Sequence, residues 1–372
     1  MRNNNQNTPN FNYYPNVADI IYGSYIKYDR LFEMTKFAFY GKTDAQEINI
    51  YIDVYSILKG IFTKGTNIKI DDSYVIASCI INLAIHLRAY FETRHRVSSK
   101  IFIIYGAARP VNAISIYPSY NARNIQMEDS NSFLKRIIKD NLDVISILCP
   151  YLYDIFAVID YDNEFSTIAS ALIDSSGETG FKSPNVIYSK EPLAYQLVAF
   201  KPRTFLYRSK KRAFEDCSWV VTKSTLYNAY RYAELELSKE IETTLDVKMF
   251  SIYQSIAGLK SRTIPSIKNA NSTIKVLEKA IKNNVFSMGY NVSAVTRTEE
   301  SPFEKLALAG VDCNELIQRF SAIDLNYQTM LYKATPNFIG ASSGIINLYN
   351  PQEVRNINDK YFQTNPLDLN RV

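Results

Sequence analysis

Cysteine and histidine are too few and too scattered to build a metal site from sequence neighbours. The four cysteines, Cys79, Cys149, Cys217 and Cys313, form no Cys-x-x-Cys pair, and only His86 and His95 stand beside them. The cysteines read as buried apolar residues in a reducing compartment. No apolar run reaches ~18 residues without a charge, so no membrane span or membrane partner is expected. The opening residues, Met1 to Pro15, are Asn-rich and lack the apolar stretch of a signal peptide. Residues 1–18 are expected to be a flexible arm. Charge of one sign is also missing: 42 Lys+Arg against 37 Asp+Glu leave +5. That balance permits an acidic partner without demanding one.

Apolar residues make up 47% of 372, enough to bury a sizeable core in one or two domains. Glycine is scarce at 12 and tyrosine abundant at 28. Asn, Ile, Lys and Tyr dominate, as in products of AT-rich genomes, which points to a phage or viral source and to a virion or the host cytoplasm.

The periodicity predicts an α/β chain. Ile48 to Leu58 reads as a strand running into a helix. Asp72-Ser73 can cap a helix reaching about His95, apolar over most of its circumference. Lys100 to Tyr105, Ile155 to Ile159 and Val186 to Tyr188 are further strands. Phe133 to Ile147 and Glu164 to Ile173 are helices, the second ended by Ser175-Ser176-Gly177. Ala107 to Met127, with Pro110, Pro118 and several Asn, reads as a loop. Strands and helices alternating at these lengths imply a parallel twisted sheet with helices on both faces. Beyond a basic run, Lys201 to Arg212, and a short strand at Trp219-Val220-Val221, the pattern turns helical: 226–242, 249–256, 272–283 and 302–320. Residues 19–222 are expected to form the core, 223–335 a helical module and 336–372 a loop-like tail.

Five collinear motifs, spanning roughly Ile48 to Asn283, resemble those of the 5′ nucleases (flap endonucleases and phage 5′ exonucleases, with a PIN-like core). Tyr51-Ile52-Asp53 is similar to the strand end whose Asp binds a catalytic metal. Ile103-Ile104-Tyr105-Gly106 resembles Val-Phe-Asp-Gly, with Tyr105 in place of the acid. Tyr117-Pro118-Ser119-Tyr120-Asn121-Ala122-Arg123 resembles Tyr-Pro-Glu-Tyr-Lys-Ala-x-Arg. Asn121 thus stands where a lysine faces the scissile phosphate, and Arg123 falls one position early. Glu164 to Leu172 resembles Glu-Ala-Asp-Asp-Val-Ile-Ala-Thr-Leu, with Ser166 and Thr167 for both aspartates. Ser189 to Val198 keeps the frame of Ser-Gly-Asp-Lys-Asp plus Leu-Leu-Gln-Leu-Val, but Glu191 and Leu193 take the acidic places. Thr263 to Leu277 resembles the following helical hairpin, with Arg262 at the last metal-binding position and Lys268-Asn269-Ala270-Asn271 in place of its glycines.

The resemblance implies a two-metal phosphodiesterase fold with most of its ligands gone. Two hard cations need a dense carboxylate cluster. Asp53, Glu164 and Glu191 remain, and Arg262 adds an opposing charge. Such a remnant could still hold one Mg²⁺ loosely; no cofactor and no catalysis are expected. Each remnant acid also has an ordinary reading. Asp53 is a turn or helix cap. Glu164 is an anion at a helix N-terminus. Glu191 precedes a helix opened by Pro192.

Three functions remain open. The first is a non-cleaving nucleic-acid-binding component of a replication or transcription complex, gripping DNA phosphates through Lys260, Arg262, Lys268, Lys275 and Lys279 or through the run Lys201 to Arg212, which includes Lys210, Lys211 and Arg212. The second is a structural or protein-interaction component of a virion or multi-subunit assembly. The third is a weakly active Mg²⁺-dependent 5′ exonuclease.

Overall fold

In a computed structural model the chain is described at residues 47–63, 74–130, 132–175, 183, 185–189, 191–201, 204–209, 218–220, 250–267, 270, 312–335, 348–363 and 365–371. The expected N-terminal arm, the helices at 226–242 and 272–283 and the boundary near 222 lie outside these residues.

Alternation along the strands sorts the core into two. On β1 (Glu47–Asp53), Ile48, Ile50 and Ile52 enter one buried cluster and Tyr51 the other. On β2 (Ser98–Gly106), Ile101, Ile103 and Tyr105 oppose Phe102 and Ile104 in the same way. Apolar residues on both faces require helices on both faces, and a sheet so covered is typically parallel. Five strands are mutually parallel: β1, β2, β3 (Ile155–Asp160), β4 (Asn185–Tyr188) and β5 (Thr204–Ser209). A short β6 (Ser218–Val220) closes one edge antiparallel, giving the order β3-β2-β1-β4-β5-β6. The chain runs outward from β1 through β2 to β3, then returns to place β4 on the other side of β1. The gap beyond the carboxyl ends of β1 and β4 is therefore the topological switch point, where open α/β sheets hold their sites.

One face carries α1 (Val54–Thr63), α2 (Val75–His95), α5 (Ser132–Leu148) and α11 (Pro351–Tyr361). The other carries α6 (Phe165–Ser175), α7 (Ala194–Phe200), α8 (Phe250–Ala257), α9 (Cys313–Ile323) and α10 (Leu325–Lys333). Between them at the sheet's carboxyl end lie α3 (Val111–Ile116) and α4 (Ala122–Asp129). α2 is long and apolar enough to cross a membrane, but it is buried as the central helix of its layer.

Two expectations fail. The segment 107–127, read as a loop from its prolines, folds into α3 and α4. Pro110 immediately precedes the first, where a fixed φ and a missing N–H cost little, and Asn121 starts the second in the left-handed region at φ 58°. The tail, read as loop-like, forms α11, capped by Asn350 and opened by Pro351. It continues as a strap, 365–371, across α2. Ser78, Asn82 and His86, spaced four apart, give that apolar helix one polar line. Ser78 Oγ donates to the Asn365 carbonyl at 2.5 Å, Asn82 accepts from the Asp368 N–H at 2.9 Å, and Arg371 Nη1 lies 3.0 Å from His86 Nδ1.

Gln196 joins the helical layer to the core. Its amide nitrogen donates to the Ile323 carbonyl at 3.0 Å; its oxygen accepts from Ser251 Oγ at 2.9 Å and the Leu325 N–H at 3.0 Å. The α9–α10 corner is thus held by a residue of the surviving Gln-Leu-Val frame.

Candidate functional site

Asp53 ends β1 and is fully buried. One carboxylate oxygen accepts the Ser56 N–H at 3.0 Å and so caps α1; the other accepts Ser189 Oγ at 2.6 Å. Ser189 follows β4, and its Oγ also accepts the Glu191 N–H at 3.1 Å, linking two of the three remnant acids. Burial, then the charge of Glu191, push the Asp53 carboxyl up to about 6.

Glu164 reaches the same place from the β3–α6 connection. Asp160 organises this turn by accepting the Asp162 and Asn163 N–H groups at 2.7 and 3.0 Å. Gly106 lets the turn come close: a Cβ there would stand 2.1 Å from the Phe165 nitrogen. Burial raises the Glu164 carboxyl, and Arg262 opposes the rise.

Arg262 is delivered by a tight loop. Gly258 sits at φ +83°, Leu259 and Ile264 bridge across the loop, and residues 260–262 make one 3₁₀ turn ended by Thr263 at φ 61°. Its guanidinium, 4% exposed, donates from Nε to Glu164 Oε1 at 2.5 Å and from Nη1 to Glu191 Oε2 at 2.8 Å. Tyr120 OH satisfies the other Glu164 oxygen at 2.9 Å. Burial alone would weaken the guanidinium's hold on its proton; the two carboxylates more than offset that and keep it charged. At the centre of the cleft is therefore a Glu–Arg–Glu ion triad. Among the described residues, no group of three or more His, Cys, Asp or Glu is arranged to hold a metal ion.

The other predicted positions divide sharply. Tyr105, in the acid's place on β2, is buried edge-on to Tyr55 with ring centroids 6.3 Å apart. Ser166, Thr167 and Leu193 are buried beside the cleft in the helices' packing. Asn121, which stands where the resemblance puts a phosphate-facing lysine, is 1% exposed. Its N–H donates to the Arg262 carbonyl at 2.6 Å and its side chain to the Ala108 carbonyl at 2.5 Å. The α4 start thereby anchors the arginine loop, with the Arg123 N–H donating to Thr263 Oγ1 at 3.1 Å.

The expected phosphate contacts need correcting at two residues. Arg262 is consumed by the triad. Lys201 is buried and paired with Asp174 at 2.7 Å, an aspartate it shares with Lys333. Lys260 is exposed at the tip of the arginine loop, and Arg123 is exposed where α4 meets that loop. Lys210, Lys211, Arg212, Lys268, Lys275 and Lys279 lie outside the described residues. Ser189 and Tyr120 are site members that sequence reasoning passed over, although both sit inside quoted motifs.

Solved structures share the fold. A bacteriophage T5 5′-exonuclease with bound divalent zinc ions is similar with a TM-score of 0.50 at 12% identity, covering 77% of this chain and 92% of that one. The chain has a 5′ nuclease fold. The bacteriophage T5 flap endonuclease, in a pseudo-enzyme–product complex with DNA and metal ions, gives a TM-score of 0.49 at 12% identity over 85% of this chain and all of that one. The catalytic core of Rad2 with DNA substrate gives 0.40 at 12% identity over 85% and 88%. No family model and no curated protein sequence matches the chain. At such low identity the likeness carries the 5′ nuclease fold and no residue roles.

Proposed function

We propose that this chain is a catalytically inactive 5′ nuclease-fold protein that acts as a non-cleaving nucleic-acid-binding component of a phage or viral replication or transcription complex. One observation carries the inactivity: Arg262 occupies the carboxylates that a metal would need, bonded to Glu164 at 2.5 Å and Glu191 at 2.8 Å. The T5 exonuclease named above binds divalent ions. The residues present here do not fit such ions, because the remaining acids already bond a fixed cation, a helix cap and two hydroxyls.

Nucleic-acid contact is supported by what is left at the rim. Lys260 and Arg123 project from two segments that hydrogen-bond each other beside the closed cleft. Contacts of this kind are to phosphates, independent of sequence and steeply salt-sensitive. A gel-shift series on duplex and flapped DNA tests this. Lys260→Ala with Arg123→Ala should lower the salt slope by up to about two charges' worth. An affinity no better than ~10⁻⁴ M at low salt would remove this reading. Robust cleavage with Mg²⁺ or Mn²⁺ that vanishes in Asp53→Ala would favour the active-nuclease reading instead.

A second reading has its own observation. Ile147, Tyr153, Leu348 and Tyr349 are large apolar residues about half exposed, gathered where the Leu348 N–H donates to the Pro150 carbonyl and the Tyr153 and Tyr349 rings meet at 5.7 Å. The patch lies at the amino end of β3, the pole opposite the cleft. A contiguous exposed apolar group suits a protein partner in an assembly.

A further inference from the structure

The cleft contains a cation of the chain's own. We propose that Arg262 is a covalently attached replacement for the divalent ions of this fold, which excludes them from the cleft, and that the excluded site reappears when its charge is removed. The proposal deepens the non-catalytic reading above and depends on it.

The geometry supports it in three steps. First, Glu164 and Glu191 bond one guanidinium at 2.5 and 2.8 Å, so their carboxylates converge on a single centre. Asp53 joins them through Ser189, which bonds Asp53 at 2.6 Å and the Glu191 N–H at 3.1 Å. Second, buried like charges at such separations are unfavourable without a cation between them. Arg262 supplies one positive charge to this group of acids and bonds two of them directly. Third, the guanidinium cannot easily be displaced. The Asn121 N–H fixes the Arg262 carbonyl at 2.6 Å, Asn124 donates to the Ser261 carbonyl at 3.1 Å, and Arg319 Nη1 bonds the Pro265 carbonyl at 2.7 Å. A divalent ion entering the cleft must break two charge-assisted bonds and expel a side chain whose backbone is tied down on both sides. Nothing repays that cost, because the acids gain no ligand they lack.

Charge excludes the ion, and the guanidinium's shape adds the span between the carboxylates. A planar guanidinium spans two carboxylates with directed N–H bonds, which a compact ammonium cannot reproduce. Arg262→Lys keeps the charge and should still exclude metal. Arg262→Ala and Arg262→Gln remove it and leave the two carboxylates that it bridged, Glu164 and Glu191, converging on one gap, the ligand type that hard cations take.

The experiment uses the full-length protein with Mn²⁺ and Tb³⁺ as probes at constant ionic strength, reading thermal unfolding and Tb³⁺ luminescence. Wild type and Arg262→Lys should show no saturable response. Arg262→Gln should bind Mn²⁺ with a Kd of about 1 mM or tighter, and its Tm should rise with ion concentration until saturation. Adding Glu164→Gln or Glu191→Gln should weaken that binding at least about tenfold, as loss of a charged ligand does. If Arg262→Gln does not fold alone, refolding in Mn²⁺ should restore cooperative unfolding. Saturable Mn²⁺ binding by wild type that Asp53→Asn abolishes would overturn the proposal. So would a folded Arg262→Gln protein without saturable binding, or an unfolded one that Mn²⁺ fails to rescue. No nucleic acid enters the assay, so failure of DNA binding leaves these outcomes unchanged.

Discussion

Gln196→Ala should detach the α9–α10 corner from the core. The side chain makes three buried bonds, to the Ile323 carbonyl, the Leu325 N–H and Ser251 Oγ, and is itself 1% exposed. Truncation leaves a buried backbone acceptor, a backbone donor and a hydroxyl to be satisfied elsewhere. Ser251 keeps one alternative, Asp324 at 3.2 Å. Each orphaned group costs about 1–3 kcal/mol, so a loss of about 3–5 kcal/mol is expected once Ser251 has turned to Asp324. The measurement is a urea midpoint followed by circular dichroism, with the slope compared between proteins to confirm that the exposed surface is unchanged. Gln196→Glu makes the test more specific. A carboxylate still accepts from Ser251 and Leu325 but faces the Ile323 carbonyl and Asp324 without a proton to offer. That variant should be much less stable than wild type at pH 8 and recover toward pH 5 as the new carboxyl protonates. A Gln196→Ala cost below about 1 kcal/mol would refute the claim that this amide holds the corner.

Gly106→Ala should cost about 3 kcal/mol or prevent folding, since the new methyl would meet the Phe165 nitrogen at 2.1 Å; thermal unfolding decides it. Deleting residues 365–372 should cost about 3–5 kcal/mol and speed proteolysis, because Ser78, Asn82 and Arg88 lose bonds to the strap and buried Leu367 is removed. Two buried groups should tilt the pH profile in opposite senses. The Asp53 carboxyl is raised from 3.8 to about 6, so its contribution is complete below the unfolded value and is lost as pH rises through about 6; Asp53→Asn should remove that tilt. Burial, then Arg371, lowers His86 from 6.5 to about 4 against the pull of Asp368, so its contribution is complete above the unfolded value and is lost as pH falls through about 4. His86→Gln should flatten that acid limb in urea titrations between pH 8 and 4, and an unchanged limb would show that His86 does not create it.

Periodicity alone established the parallel sheet. Ile48, Ile50 and Ile52 alternate with Asn49 and Tyr51, and a strand with apolar residues on both sides has few places to go except between two helical layers. The same local signal located α2, α5 and α6 to within a few residues. It failed where the decisive partner was distant in sequence. Pro110, Pro118 and Asn121 do break helices, but they do so at the ends of α3 and α4, where prolines and a left-handed asparagine belong. The pattern marked α2 as apolar over most of its circumference; only the folded chain shows that its polar line, Ser78, Asn82 and His86, is met by residues nearly three hundred positions later.

The site divides along the same line. Resemblance to the 5′ nucleases placed Asp53, Glu164, Glu191 and Arg262 in one frame, and the three acids follow strands whose carboxyl ends face the switch point. It placed Arg262 at the metal site as an opposing charge but also among the phosphate contacts, and it read Lys201 as part of a basic run open to phosphate or solvent. The sign of a residue is written in sequence, but whether that charge is spent on solvent or on a neighbour is not. Arg262 turns inward because the 258–264 loop is pinned to α4, and Lys201 because Asp174 lies beneath it. Such pairings depend on distances between segments that no local pattern specifies, so tertiary structure alone decided them.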